Sequence, residues 1–172
     1  MQRFVGAVMV ILATTGAGFL YGAELQNYLE KLLYIRRIIY MLKGELEYAN
    51  APVGEIFGRV ARKVKEPYRR WLLAMEQQVE KREETDFVKI WTRSVDRYLE
   101  GLNLKTAHAD QLKELGYYIG QSDNASESRN LQLYLERLDQ EIEKVRAGMA
   151  SRKRIGNCLG VMSGIFLVVV LA

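Results

Sequence analysis

One cysteine, one histidine and two prolines are all that this 172-residue chain holds of those three types, and each scarcity closes off a class of chemistry. Cys158 lies inside an apolar run, with no partner for an intramolecular disulfide or a Cys/His pair. His108 has Asp110 two positions on but no nucleophile to activate, so it reads as a helix surface residue rather than a general base. The Gly-x-x-x-x-Gly-Lys phosphate loop is absent, so the chain does not itself hydrolyse nucleotide. Glu83, Glu84 and Asp86 interleave with Lys81 and Arg82 in a linker and lack the convergence a cation site needs. The sequence therefore assigns no catalytic residue, no cofactor and no metal, and points away from an enzyme.

Charge is missing from both ends. All 21 acidic residues and every Lys and Arg except Arg3 lie between Glu24 and Arg154. The flanking stretches, residues 4–23 and 155–172, are apolar and long enough to cross a bilayer, because 18 to 20 helical residues at ~1.5 Å each span about 30 Å. The division expected is an N-terminal transmembrane helix over 1–23, a soluble domain over 24–154 and a C-terminal transmembrane helix over 155–172. A cleaved signal peptide also fits Arg3 and the small residues Ala13, Gly16 and Ala17. Against it, the apolar run continues through Phe19, Leu20 and Tyr21, beyond the usual ~7–15 residue core of such a peptide.

Positive charge next to the spans sets the orientation. Arg152, Lys153 and Arg154 abut the second span, and Lys31, Arg36 and Arg37 follow the first, so the middle domain is expected to face the cytoplasm. Gly156, Gly160 and Gly164 recur every four residues, as do Gly18 and Gly22, a spacing that lets membrane helices approach closely, within the hairpin or in self-association. Neither span carries an ionisable side chain, so this chain alone builds no ion pathway.

No sustained period-two alternation occurs between the spans, and the apolar residues keep helical spacing, so the middle domain reads as all-α with six bundled helices. The first continues from the membrane span to about Tyr48, with Leu32, Ile35, Ile39, Leu42 and Leu46 inside. Asn50, Ala51 and Pro52 break it. The spacing predicts a second helix over 53–64, a third with Pro67 in its first turn and Trp71, Leu72, Met75 and Val79 inside, and a fourth over 85–99 capped by Thr85. A fifth runs over 106–120 and a sixth over 124–154, burying Leu131, Leu135, Leu138, Ile142 and Val145. In the turn between them Gly120 precedes Asp123, an N-cap candidate for the sixth helix.

The most pronounced surface signal is a basic group, Arg59, Arg62, Lys63, Lys65, Arg69 and Arg70, diluted within its own stretch only by Glu66. Membrane anchoring argues against a nucleic-acid partner. Two readings stay open: contact with anionic headgroups, worth about 1 kcal/mol per basic side chain near the surface, or steering of an acidic protein partner or a second copy.

Several segments together resemble the stage III sporulation protein AB family of endospore-forming bacteria. They are Gly6, Ala7 and Val8 through Leu12, Ala13, Thr14, Thr15, Gly18 and Phe19; Leu42, Glu45, Leu46, Tyr48, Pro52 and Val53; Trp91; and Leu115, Gly116, Ile119, Gly120, Ser122 and Asp123, followed by Leu131, Leu135 and Leu138. Glu127 departs from the family's usual Gln, and Ala49, Asn50 and Val53 depart in the stretch before and after Pro52. The resemblance spans essentially the whole length and rests on order and spacing rather than on one motif. That family looks like the cytoplasmic domain of inner-membrane platform proteins of type II secretion and type IV pilus machines. It implies a non-enzymatic platform subunit of a secretion-like channel between mother cell and forespore, in the mother-cell (outer forespore) membrane. The partners implied are a secretion-type sporulation ATPase and other channel membrane proteins. The alternative from another class is a membrane-anchored adaptor that recruits a soluble enzyme outside any channel.

Overall fold

Apolar residues recur along the middle of this chain at three- and four-residue steps, and the computed structural model turns that periodicity into helices. It describes residues 2–48, with side chains from Ala23 onward, and residues 51–81, 86–119 and 128–149. Among the described residues are six α-helices and no strand: α1 Gln2–Tyr48, α2 Val53–Ala61, α3 Tyr68–Lys81, α4 Phe87–Leu99, α5 Thr106–Glu114, and α6 over 128–149. The chain divides into two compact units, one over Leu32–Asp139, the other drawing on α1 up to Lys31 and on α6 from Gln140.

Among the described residues no helix is long and apolar enough to cross a membrane. The side chains of residues 4–22 and all of residues 155–172 lie outside that set, as do Gly120, Asp123, Gly156, Gly160 and Gly164. Gly18 and Gly22 fall within the helical backbone of α1.

In the Leu32–Asp139 unit, α1 contributes Leu32, Ile35, Ile38, Ile39, Leu42 and Leu46, each at most 4% exposed. Ile38 beside Ile39 widens the expected stripe, as required of a helix that buries more than one narrow seam. Four aromatic rings from three helices meet over the middle of the core. Trp71 of α3 meets Trp91 of α4 edge-on, with centroids 5.0 Å apart and planes at 62°. Phe57 of α2 and Phe87 of α4 flank Trp91 at 6.1 and 6.2 Å. Edge-on and offset pairs set the electropositive rim of one ring against the face of another and add about 0.5–1.5 kcal/mol each beyond area burial.

The helix ends correct several expectations. Val64 was expected to close α2, but the helix ends at Ala61 and the chain tightens into i→i−3 bonds, Lys63 N to Val60 O at 2.9 Å and Val64 N to Ala61 O at 3.5 Å. Val64 is buried all the same. Pro67 sits just before α3, its carbonyl accepting from Trp71 N at 3.2 Å.

The cap of α4 is Asp86 rather than Thr85: its carboxylate accepts from Val88 N at 3.1 Å. Asp86 has the extended backbone, φ −97° and ψ 97°, that an N-cap adopts. The fifth helix gives way to a 3-10 turn at Leu115–Tyr117, before Gly120. His108 is buried instead of lying on the surface, one turn before buried Leu112 on the same side of α5.

Candidate functional site

All six basic residues of the expected surface fall on one continuous feature: the last turn of α2, the connector and the first turn of α3. The structure then separates them into two kinds.

Three are held in ion pairs. Lys63 Nζ lies 2.7 Å from Oε1 of Glu45 on α1, and Arg59 Nη1 lies 3.6 Å from the other oxygen of that carboxylate. Arg59 also reaches Glu55, one turn earlier on α2, at 2.8 Å, and Arg70 meets Glu66 at 3.0 Å. The hydrogen bond from Lys63, with the charges of Lys63 and Arg59 added, holds the Glu45 carboxyl below its ordinary range although partial burial opposes this. Arg59 is driven upward mainly by its bond to Glu55.

Lys65 is committed differently. Its backbone N–H donates to the Tyr34 hydroxyl at 2.8 Å, and its ammonium lies 4.9 Å from the centroid of the Tyr34 ring. Tyr34 in turn packs on Tyr68, with centroids 4.7 Å apart. Burial, followed by the charge on Tyr34, pushes the Tyr68 hydroxyl up to about 12. Lys65 thus fastens the connector to α1.

Arg62 and Arg69 remain. Both are exposed, and neither has an ion-pair partner among the described residues. A basic run of six therefore offers two uncommitted guanidiniums, planar forks suited to carboxylate or phosphate.

Glu66 lies within the basic stretch itself, whereas two other acids that meet it, Glu55 and Glu45, lie outside that stretch. Glu55 carried a usable signal, since it precedes Arg59 by four residues, the spacing of a helical ion pair. Glu45 comes from a different helix, and only the tertiary fold brings it in. Also missed was a shallow groove of about 450 Å³ beside these pairs, lined by Tyr40, Met41, Gly44, Glu45, Tyr48, Arg59 and Lys63. Pro52 immediately precedes α2, its carbonyl accepting from Ile56 N at 3.2 Å. Among the described residues no three His, Cys, Asp or Glu side chains group as metal ligands.

The family model for stage III sporulation protein AB matches residues 3–172. The chain belongs to the stage III sporulation protein AB family. Stage III sporulation protein AB of Bacillus subtilis strain 168 is 24% identical over 172 residues, covering 99% of each chain. A solved structure of a stage III sporulation protein AB is similar in fold, with a TM-score of 0.64 at 19% identity over 72% of this chain and 97% of that one. The resemblance read from Trp91, from Leu115 and Gly116 and from the leucines of the last helix is thus correct at the level of family. Trp91 and Gly116 lie in direct contact in the fold.

Proposed function

We propose that this stage III sporulation protein AB is a non-enzymatic platform subunit of a secretion-like complex between mother cell and forespore. Apolar helices at both ends hold it in the mother-cell membrane, and its helical domain faces the cytoplasm. It docks a secretion-type sporulation ATPase and the other membrane proteins of the channel. Family membership supports the sporulation role. Membrane anchoring is supported by the uncharged stretches 4–23 and 155–172, the first of which belongs to the continuous helix α1.

The observation that carries the docking role is the division of the basic connector. Arg59, Lys63 and Arg70 are neutralised by acids of this chain, whereas Arg62 and Arg69, at either end of the α2–α3 connector, have no such acid among the described residues. Two exposed guanidiniums on a scaffold that otherwise pairs its own cations suit an acidic rim on a partner, where they raise the rate and selectivity of encounter.

In vivo crosslinking in sporulating cells, followed by detergent purification and mass spectrometry of bound proteins, tests the reading. Stoichiometric recovery of a secretion-type ATPase and small channel membrane proteins is the expected result. Their absence from abundant, intact protein would transfer the role to an adaptor outside any channel.

A further inference from the structure

A small pocket of about 90 Å³ opens between the end of α5 and the first turns of α6, away from the basic connector. Its walls are two matched stripes at helical spacing, Glu114, Leu115 and Tyr118 on one side and Leu133, Tyr134 and Arg137 on the other. Glu114 and Arg137 face the pocket from opposite walls, yet neither forms an ion pair among the described residues. The Tyr118 hydroxyl meets Glu114 at 3.5 Å, a long contact that leaves most of the carboxylate's capacity open. Tyr134 is 9% exposed, and its hydroxyl has no hydrogen-bond partner among the described residues. Burial raises the pKa of that hydroxyl, so it remains a neutral group able to donate and to accept.

Size and polarity together select the occupant. Sites for free small molecules run to about 300–1,000 Å³, and an engineered cavity that takes benzene is about 150 Å³. At about 90 Å³ this pocket seats a single side chain. A carboxylate would be repelled by Glu114, and an ammonium or guanidinium by Arg137. An apolar group would leave the Tyr134 hydroxyl and both charges shielded from water without partners. A carboxamide meets all three, its carbonyl oxygen accepting from Arg137 and the Tyr134 hydroxyl and its NH2 donating to Glu114. Around the opening Leu133 and Tyr117 are 49% and 61% exposed, apolar surface of the kind that surrounds an anchor side chain in an interface.

We infer that the α5–α6 pocket docks a partner protein through one glutamine or asparagine side chain, held by Arg137, Tyr134 and Glu114, with Leu133 and Tyr117 covered around it. A lipid headgroup fits less well, because it brings a phosphate against Glu114 and needs more room than one side chain. A second copy of this chain also fits less well. Gln132, the exposed carboxamide of α6 beside the pocket, is bonded to Glu136 of its own chain at 3.1 Å. A carboxamide from any other face would make a head-to-tail contact that leaves one pocket empty unless the subunits close into a ring. The inference does not rest on the platform reading.

The test uses the full-length protein in sporulating cells, with a photoreactive benzoylphenylalanine at position 133 and the crosslinked peptide identified by mass spectrometry. The inference predicts adducts to one segment of another protein that carries Gln or Asn within one helical turn of the crosslinked residue. Adduct yield should fall about fivefold on Tyr134→Phe and about tenfold on Arg137→Leu, the losses expected for a neutral and a charged hydrogen bond. Replacing the partner's carboxamide residue by Glu should lower the yield as well, and Glu114→Gln in this chain should restore it by removing the repulsion. Tyr134→Phe deletes a hydroxyl that the fold does not bond, so its thermal midpoint should equal or exceed that of the parent, which separates lost docking from lost folding. Adducts confined to phospholipid, to this chain or to a second copy, a crosslinked segment without a carboxamide, no adduct, a yield unmoved by either substitution, or a lowered midpoint for Tyr134→Phe would each overturn it. The ATPase and channel proteins recovered by copurification report separately on the platform reading, so either inference can fail without the other.

Discussion

Trp91 of α4 lies directly on the backbone of Gly116: a Cβ at that glycine would stand 2.5 Å from Cδ1 of the indole and 2.7 Å from Cγ. The same indole donates its N–H to the carbonyl of Leu112 at 2.7 Å. One side chain thus fastens α4 both to the end of α5 and to the 3-10 turn that follows.

Gly116→Ala should therefore destabilise the fold. The atoms a new methyl meets belong to a buried, ring-stacked indole that cannot rotate away, and overpacking of this kind costs about 1–3 kcal/mol. Gly58 makes the contrast. A Cβ there would overlap the Glu76 carboxylate, but that group ends a flexible side chain and can swing aside. Gly58→Ala should be close to neutral or slightly stabilising, because alanine favours helix by about 1 kcal/mol over glycine. Chemical unfolding of the detergent-solubilised full chain compares the two.

The two core tryptophans should respond differently to phenylalanine. Trp91→Phe removes a donor and leaves the buried Leu112 carbonyl without it, a penalty of about 1–3 kcal/mol on top of lost volume. The Trp71 indole N–H is buried with no hydrogen-bond partner among the described residues, so Trp71→Phe loses volume but relieves an unsatisfied donor. The first substitution should lower the unfolding midpoint more than the second. Equal losses would show that the Trp91 bond contributes little.

Acid should loosen the α1–α2 contact. Glu45 titrates below its ordinary value of 4.5 because Lys63 donates to it, and Glu47 is lowered by Lys43 and by the Ser128 hydroxyl. A carboxylate depressed in the folded state contributes stability that is fully present above its unfolded value and is lost as pH falls through the folded one. The thermal midpoint should be insensitive to these groups above about pH 5 and decline below pH 4.5. In Glu45→Gln that decline should be shallower. An unchanged acid limb would remove Glu45 from the account.

Much of this fold was legible because a helix that buries one face must repeat its apolar residues at three and four positions. The inner faces of α3 and α6 follow directly from Trp71, Leu72 and Met75 and from Leu131, Leu135 and Leu138. Ile38 and His108 were harder to place, since position on a helix tells which residues share a side and not how much of the circumference is covered. The boundaries at Ala61 and Asp86 depended on local backbone geometry that neighbouring residues satisfy almost equally well. At the basic connector, composition gave six cations, but which of them are free depended on Glu45 and Tyr34, both supplied by α1. A pairing between residues 18 positions apart, such as Lys63 with Glu45, leaves no periodic trace.

The platform reading concentrates on Arg62 and Arg69, so charge reversal at both is its most direct test, with Arg70→Glu as control because Arg70 is already paired with Glu66. The measurement is quantitative copurification of the ATPase and channel proteins with each full-length variant after crosslinking in sporulating cells. The account predicts that Arg62→Glu with Arg69→Glu lowers recovery at least tenfold while the unfolding midpoint stays within a few degrees of the parent, since exposed unpaired charges contribute little to stability. Arg70→Glu should retain most of the partner. Full recovery from the double reversal, in a protein that is folded and membrane-bound, would contradict the docking role assigned to this connector.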